Sequence, residues 1–241
     1  MTGSSRGGVS SLSNFEGSIM GTRATRIAAL TGVIFVVFLV PAVLVTGGSP
    51  NSNASAVKVQ AYVLAHKNHY SLGALLSVLA IVFGLFFFAY LRAFFRGLPG
   101  LEWLAALFFG GAIVFGVGGA LAGGLDATLG DSPASLSAAS LQLLNTLSMD
   151  LNVAAIAVGL GVLYLSAGFI IYKSRALPVW LAWVSWLLGL LAASFVLTFL
   201  ALVATVLWVL YVSILLATRN PSLNPLGPSA PTRPQSAIES S

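Results

Sequence analysis

Five long apolar runs, nearly free of charge, decide what this chain can fold into. They cover residues 27–45, 72–91, 103–125, 151–172 and 177–217. At about 1.5 Å of rise per helical residue, about 20 apolar residues match the ~30 Å hydrocarbon core of a bilayer. Hydrocarbon offers the backbone no water, so each spanning run must close its own hydrogen bonds as a helix. Composition points the same way. Charged residues make up 7% of the chain and hydrophobic residues 58%, whereas a soluble domain carries about 25% charged residues to keep its surface wet. The expected fold is all-α, a polytopic membrane bundle.

The run 177–217 is 41 residues long. As one helix it would measure about 60 Å, twice the hydrocarbon thickness. Two short spans, 178–193 and 198–217, with a bend near Ser194, remove the mismatch and bring the count to six. The bases support this. With the amino terminus inside, Arg6, Arg23, Arg26, Arg92, Arg96, Lys173, Arg175, Arg219 and Arg233 share one side, and only Lys58 and Lys67 lie opposite. Cytoplasmic loops carry such an excess of Lys and Arg. Both termini are therefore expected in the cytoplasm.

Around the six-span domain (23–219), residues 1–22 are rich in Gly and Ser, and residues 220–241 hold five prolines. Both segments read as disordered. Two opposite-side loops are longer. Residues 54–66 read as a short helix along the membrane surface, and residues 134–147 as another, started by Ser132. Glu102 and Asp150 stand where spans three and four begin, as carboxylates that complement helix dipoles do.

Candidate chemistry is sparse. The bases form no dense cluster, so nucleic acid is not an expected partner. There is no cysteine for thiolate catalysis, disulfides or thiolate metal sites. No phosphate loop, nucleophile elbow or His-Glu-x-x-His motif occurs, and no cofactor is implied. Ionisable residues inside a membrane mark function by default, yet the spans nearly lack them. One constellation remains: His66 and His69, three apart on a helix, with Asp126 on the same side of the membrane. Imidazoles and a carboxylate are a donor set for zinc or a similar divalent ion. The competing reading is a polar lip where span two enters the membrane.

Lipid gives helices no hydrophobic reason to associate, so small residues that permit close approach matter. Ala112, Gly116, Ala120 and Gly124 recur every fourth residue on span three, and span four has Ala155–Gly159 and Ala157–Gly161. These faces serve either internal packing or contact with a second copy or a membrane partner. Trp180, Trp183 and Trp186 open span five, and the first two suit an interfacial anchor.

The segments Val63-Leu64-Ala65-His66-Lys67-Asn68, Phe88-Ala89-Tyr90-Leu91-Arg92 and Arg175-Ala176-Leu177-Pro178-Val179-Trp180-Leu181-Ala182-Trp183 resemble those of an actinobacterial multi-pass membrane family of the DUF4386 type. The resemblance implies a six-span protein of a bacterial plasma membrane and, as that family has no established activity, assigns no functional residue. Three function classes follow. The first is a non-catalytic membrane module acting through helix contacts. The second is a binder or carrier of a hydrophobic molecule or lipid, walled by Phe86, Phe87, Phe88, Phe108 and Phe109. The third is a metal protein or enzyme using His66, His69 and Asp126. A cavity between spans favours the second class, and a filled core counts against it.

Overall fold

The computed structural model describes residues 9–131, 133–194 and 197–218. All its regular elements are helices: α1 (Val9–Thr46), α2 (Ala56–Arg96), α3 (Glu102–Asp131), α4 (Ala138–Ala154), α5 (Gly161–Ser174), α6 (Val179–Ala193) and α7 (Thr198–Thr218). A 3-10 turn, Pro133–Ser135, precedes α4, and a π-helical segment, Ala155–Leu160, joins α4 to α5. Five stretches are long and apolar enough to cross a membrane, and α6 is a shorter apolar helix. Leu44, Phe86, Leu187 and Leu207 stand more than half exposed, as side chains facing lipid do. The protein is an integral membrane helical bundle.

Helix ends follow local chemistry. The Ser55 hydroxyl caps α2 by accepting the Lys58 N–H, and the Ser137 hydroxyl caps α4 by accepting the Ser140 N–H. Between α2 and α3 the chain turns at Leu98-Pro99-Gly100, where Gly100 has φ 73°. Glycine adopts that left-handed conformation without steric cost. Glu102 then accepts the Gly100 N–H at the start of α3. α5 ends on Arg175 at φ 52°, whose N–H bonds back to the Ile171 carbonyl. The bend between α6 and α7 begins at Ser194, whose hydroxyl accepts the Leu197 N–H.

The end carrying Arg92, Arg96, Lys173 and Arg175 is here called the basic end, and the other the base-poor end. α2 is 41 residues long, so about half of its ~60 Å exceeds the hydrocarbon thickness. Its first three turns stand beyond the core at the base-poor end. There Val59, Val63 and Tyr70 pack with Ala54, Leu129 and Leu141 as a small second core. This corrects the surface-helix reading of 54–66: the segment belongs to α2, kinked at His66 (φ −123°, ψ 24°), and its buried face rests on protein. The 134–147 reading changes likewise. The helix starts at Ala138 and runs without a break into the fourth span, because Ser137 is the cap; Ser132 lies outside the described residues. Asp150 is accordingly mid-helix and exposed, and caps nothing.

At the amino terminus the backbone is already helical from Val9, inside the stretch read as a disordered arm. Val9, Leu12, Phe15 and Ile19 recur at helical spacing there. Residues 1–8 and the Pro-rich segment 220–241 lie outside the described residues.

The continuous helix Ala138–Ser174 is the centre of the bundle: 72% of its most apolar stretch is buried, against 33% to 39% for the other long spans. Glycines let α3 reach it. A Cβ on Gly159 would lie 2.5 Å from the Phe115 backbone nitrogen, and one on Gly111 would lie 2.7 Å from the Gly159 carbonyl oxygen. Ala112 and Gly116, half of the four-residue stripe, are buried inside the monomer, with Gly116 against Ile81 and Leu85 of α2. Ala120 and Gly124 are exposed.

Candidate functional site, a polar-ended cavity between α1 and α4

Among the described residues, α1 packs on α2 and α7, while α4 packs on α2, α3 and the π segment; α1 and α4 barely touch. Between them lies a cavity of about 290 Å³. Leu39, Ala42 and Val43 of α1 form one wall, and Met149, Val153 and Ile156 of α4 and the π segment form the facing one. Phe115 closes it deep in the bundle, and Phe199 and Leu202 of α7 close the side. Polar groups gather at the base-poor end: Thr46, Ser49, Tyr70, Asp126, Asn145 and Ser148. The lining runs from Phe115 to Asp126 along α3 and from Asn145 to Ile156 along α4. Both segments measure about 16 Å at helical rise. The cavity is elongated and richest in polar groups at the base-poor end, with Ser77 and Asn152 farther in and apolar residues around Phe115 and Ile156.

Hydrogen bonds explain why the polar end holds its shape. Asn145 is 2% exposed. Its amide donates to the Pro50 carbonyl at 3.0 Å, and its Oδ1 accepts the Tyr70 hydroxyl at 3.3 Å. Gln142 donates to the Ala54 carbonyl at 2.8 Å and Thr146 to the Ser52 carbonyl at 3.4 Å. Residues 142, 145 and 146 share one helical face. The carbonyls of 50, 52 and 54 alternate along the α1–α2 connection. One face of α4 therefore clasps that connection over the end of the cavity. Below it, the Ser148 hydroxyl sits 2.6 Å from Asp126 Oδ1 and 3.3 Å from the Ala122 carbonyl oxygen. Its single proton goes to the shorter contact.

The π segment borders the same space. One extra residue per turn widens the helix there, and such bulges often accompany functional sites. Here it sets Ile156 on the cavity while Gly159 meets the Phe115 backbone.

The three residues read as metal donors divide between two places. His66 stacks on Tyr62 with ring centroids 4.2 Å apart, and its Nδ1 lies 3.0 Å from the Tyr62 carbonyl oxygen. A carbonyl only accepts, so Nδ1 carries the proton. The exposed His69 ring is tilted 5.3 Å from His66. Asp126 instead lines the cavity, bonded to Ser148, and neither histidine does. Among the described residues no three His, Cys, Asp or Glu side chains converge to hold a metal ion.

The Phe-rich wall is also placed differently from expectation. Phe87, Phe88 and Phe108 are fully buried. Phe88 and Phe95 meet Phe108 edge-to-face at 6.0 and 5.3 Å. The crevice between Phe35, Phe88 and Phe115 has no room for a water molecule. Phe86 faces outward and Phe109 lies under Arg92, 5.1 Å from ring to guanidinium. Phe87, Phe88 and Phe108 fill the core rather than line a space. The cavity lies on the other side of α3's neighbours, and its polar residues are spread over loop, α2, α3 and α4, so no local motif announces it.

Fold and site together define a polytopic helical membrane protein with an amphipathic cavity at one end of its spans. Comparisons with protein-family models, curated proteins and solved structures return no match.

Proposed function

We propose that this protein binds an amphipathic small molecule, or one end of a lipid, in the cavity between α1 and α4. The observation that carries the reading is the gradient along one space, apolar from Phe115 and Ile156 and polar at Asp126 and Asn145. A dry packing defect in a bundle has no use for that order, whereas a molecule with a chain and a head group matches it at both ends. The volume of about 290 Å³ equals some ten water molecules and sits at the lower edge of the ~300–1,000 Å³ usual for small-molecule sites. It suits a short chain or a single ring with its head, not a whole phospholipid. A non-catalytic role fits this reading too, since binding requires only shape and a few placed polar groups. The metal reading has less support, because Asp126 is engaged elsewhere.

The test is purification in mild detergent from the source membrane, followed by extraction and mass spectrometry of bound small molecules. Ala42→Phe and Val153→Phe fill the cavity from opposite walls. A molecule retained at fixed stoichiometry by the wild type and lost from both variants is expected. An identical extract from wild type and two folded variants overturns the reading.

A further inference from the structure

The cavity's polar end also carries information about the head group it would take. This inference rests on the binding reading above. Among the described residues, Asp126 is the one charged side chain in the walls. The two bases at this end, Lys58 and Lys67, are exposed and line no part of the space. Four of the donors at the polar end are already committed to the protein. Tyr70 donates to Asn145, and Asn145 donates to Pro50. Ser148 donates to Asp126, and Thr46 donates to the Ala42 carbonyl. Asp126 keeps acceptor capacity: it uses Oδ1 for Ser148, and a carboxylate has further lone pairs on both oxygens. A phosphate or carboxylate head would meet a like charge with no base to offset it. A donor head meets a carboxylate already held in place.

We propose that the cavity selects an amphiphile with a protonated amine head, with Asp126 as its acceptor and Ser148 as the residue that positions Asp126. At the same end the Tyr70 ring adds an aromatic wall, which also favours a cation over an anion. The amine belongs either to a free amphiphile or to an aminophospholipid head entering from the bilayer.

The experiment uses the full chain in nanodiscs of phosphatidylcholine, with octylamine, octanol and octanoate as probes of equal chain length. Retention is read by native mass spectrometry for the wild type, Asp126→Asn, Asp126→Ser and Ala42→Phe. Charge-assisted bonds are about twice as strong as neutral ones, so octylamine should be held about tenfold more tightly than octanol. Both Asp126 variants should lose that preference while still holding octanol. Using two of them separates loss of the carboxylate from failure to fold. Equal retention of all three probes by the wild type overturns the head-group assignment and leaves the cavity reading standing. No probe retained above the Ala42→Phe level removes the cavity reading as well. Adding phosphatidylethanolamine to the discs distinguishes the sources: displacement of octylamine assigns the site to the lipid amine, and undiminished octylamine binding assigns it to a free amphiphile.

Discussion

Replacing Asn145 by Leu tests whether the clasp between α4 and the α1–α2 connection holds the base-poor end together. The substitution keeps the branching and heavy-atom count of a side chain that is 2% exposed. It removes the bond to the Pro50 carbonyl and the one from the Tyr70 hydroxyl, together with a weak 3.8 Å contact to Met149 Sδ on the same helix. A buried polar group left without a partner costs about 1–3 kcal/mol. Tyr70 lines the cavity, where water can reach its hydroxyl, so the lower half of the combined range applies, about 2–4 kcal/mol. The two neighbouring contacts set a scale. Gln142→Met deletes the part-buried 2.8 Å bond to Ala54 and should cost about 1 kcal/mol. Thr146→Val deletes only a 3.4 Å contact to Ser52 and should cost no more than about 0.5 kcal/mol. Reversible denaturation in mixed detergent micelles measures all three. Limited proteolysis of residues 50–54 should accelerate in the same order. An Asn145→Leu loss below about 0.5 kcal/mol, or a Thr146→Val loss equal to it, would refute the clasp as the source of stability.

Gly159→Val should destabilise the bundle by ~1–3 kcal/mol through overpacking, because its Cβ meets the Phe115 backbone, which cannot rotate away. Gly110→Ala has open space around it and should be neutral or stabilising by up to ~1 kcal/mol; thermal unfolding of the two variants gives the contrast. A reporter fused after Arg219 should be active in the cytoplasm, as the six-span reading with both termini inside requires. A periplasmic signal would remove one crossing.

The sixth span shows how much physics alone could place. The stretch 177–217 has no internal charge and no strong turn signal, yet its length against the bilayer and the position of Arg219 forced a bend near Ser194. The helices α6 and α7 lie on either side of that residue. Hydrophobic length is a property of a single segment, so it survives without tertiary information. The limits of the outer segments did not. A run of apolar residues marks the part of a helix that lies in lipid, but not where the helix stops in water or against another protein layer. α2 and α4 therefore extend well beyond their apolar runs, and the cap they build was read as two separate surface helices.

The cavity was hidden for a different reason. Asp126 was visible as a rare carboxylate at a span end, and it drew the metal reading because two histidines lay on the same side. Sidedness is a coarse constraint: it places residues within one leaflet region, not within bonding reach. His66, at the α2 kink, stacks on Tyr62, while Asp126 is bonded to Ser148 in the cavity wall. Ser148 and Asn145 had no signal of their own, being ordinary polar residues, Asn145 in a segment taken for a surface helix and Ser148 just after it. Their weight comes from burial, which follows only when α4 is known to enter the bundle. The phenylalanines misled in the opposite direction. Large rings imply space only when nothing fills it, and here they fill one another edge-to-face. In a bundle held by small residues, a cavity arises where two helices are kept apart. α1 and α4 are kept apart because each is already committed, α1 to α2 and α7, and α4 to α3 through the glycine contacts at its π segment. The glycines read as a packing seam thus have a second consequence: by drawing the central helix toward α3 they leave room on its α1 side.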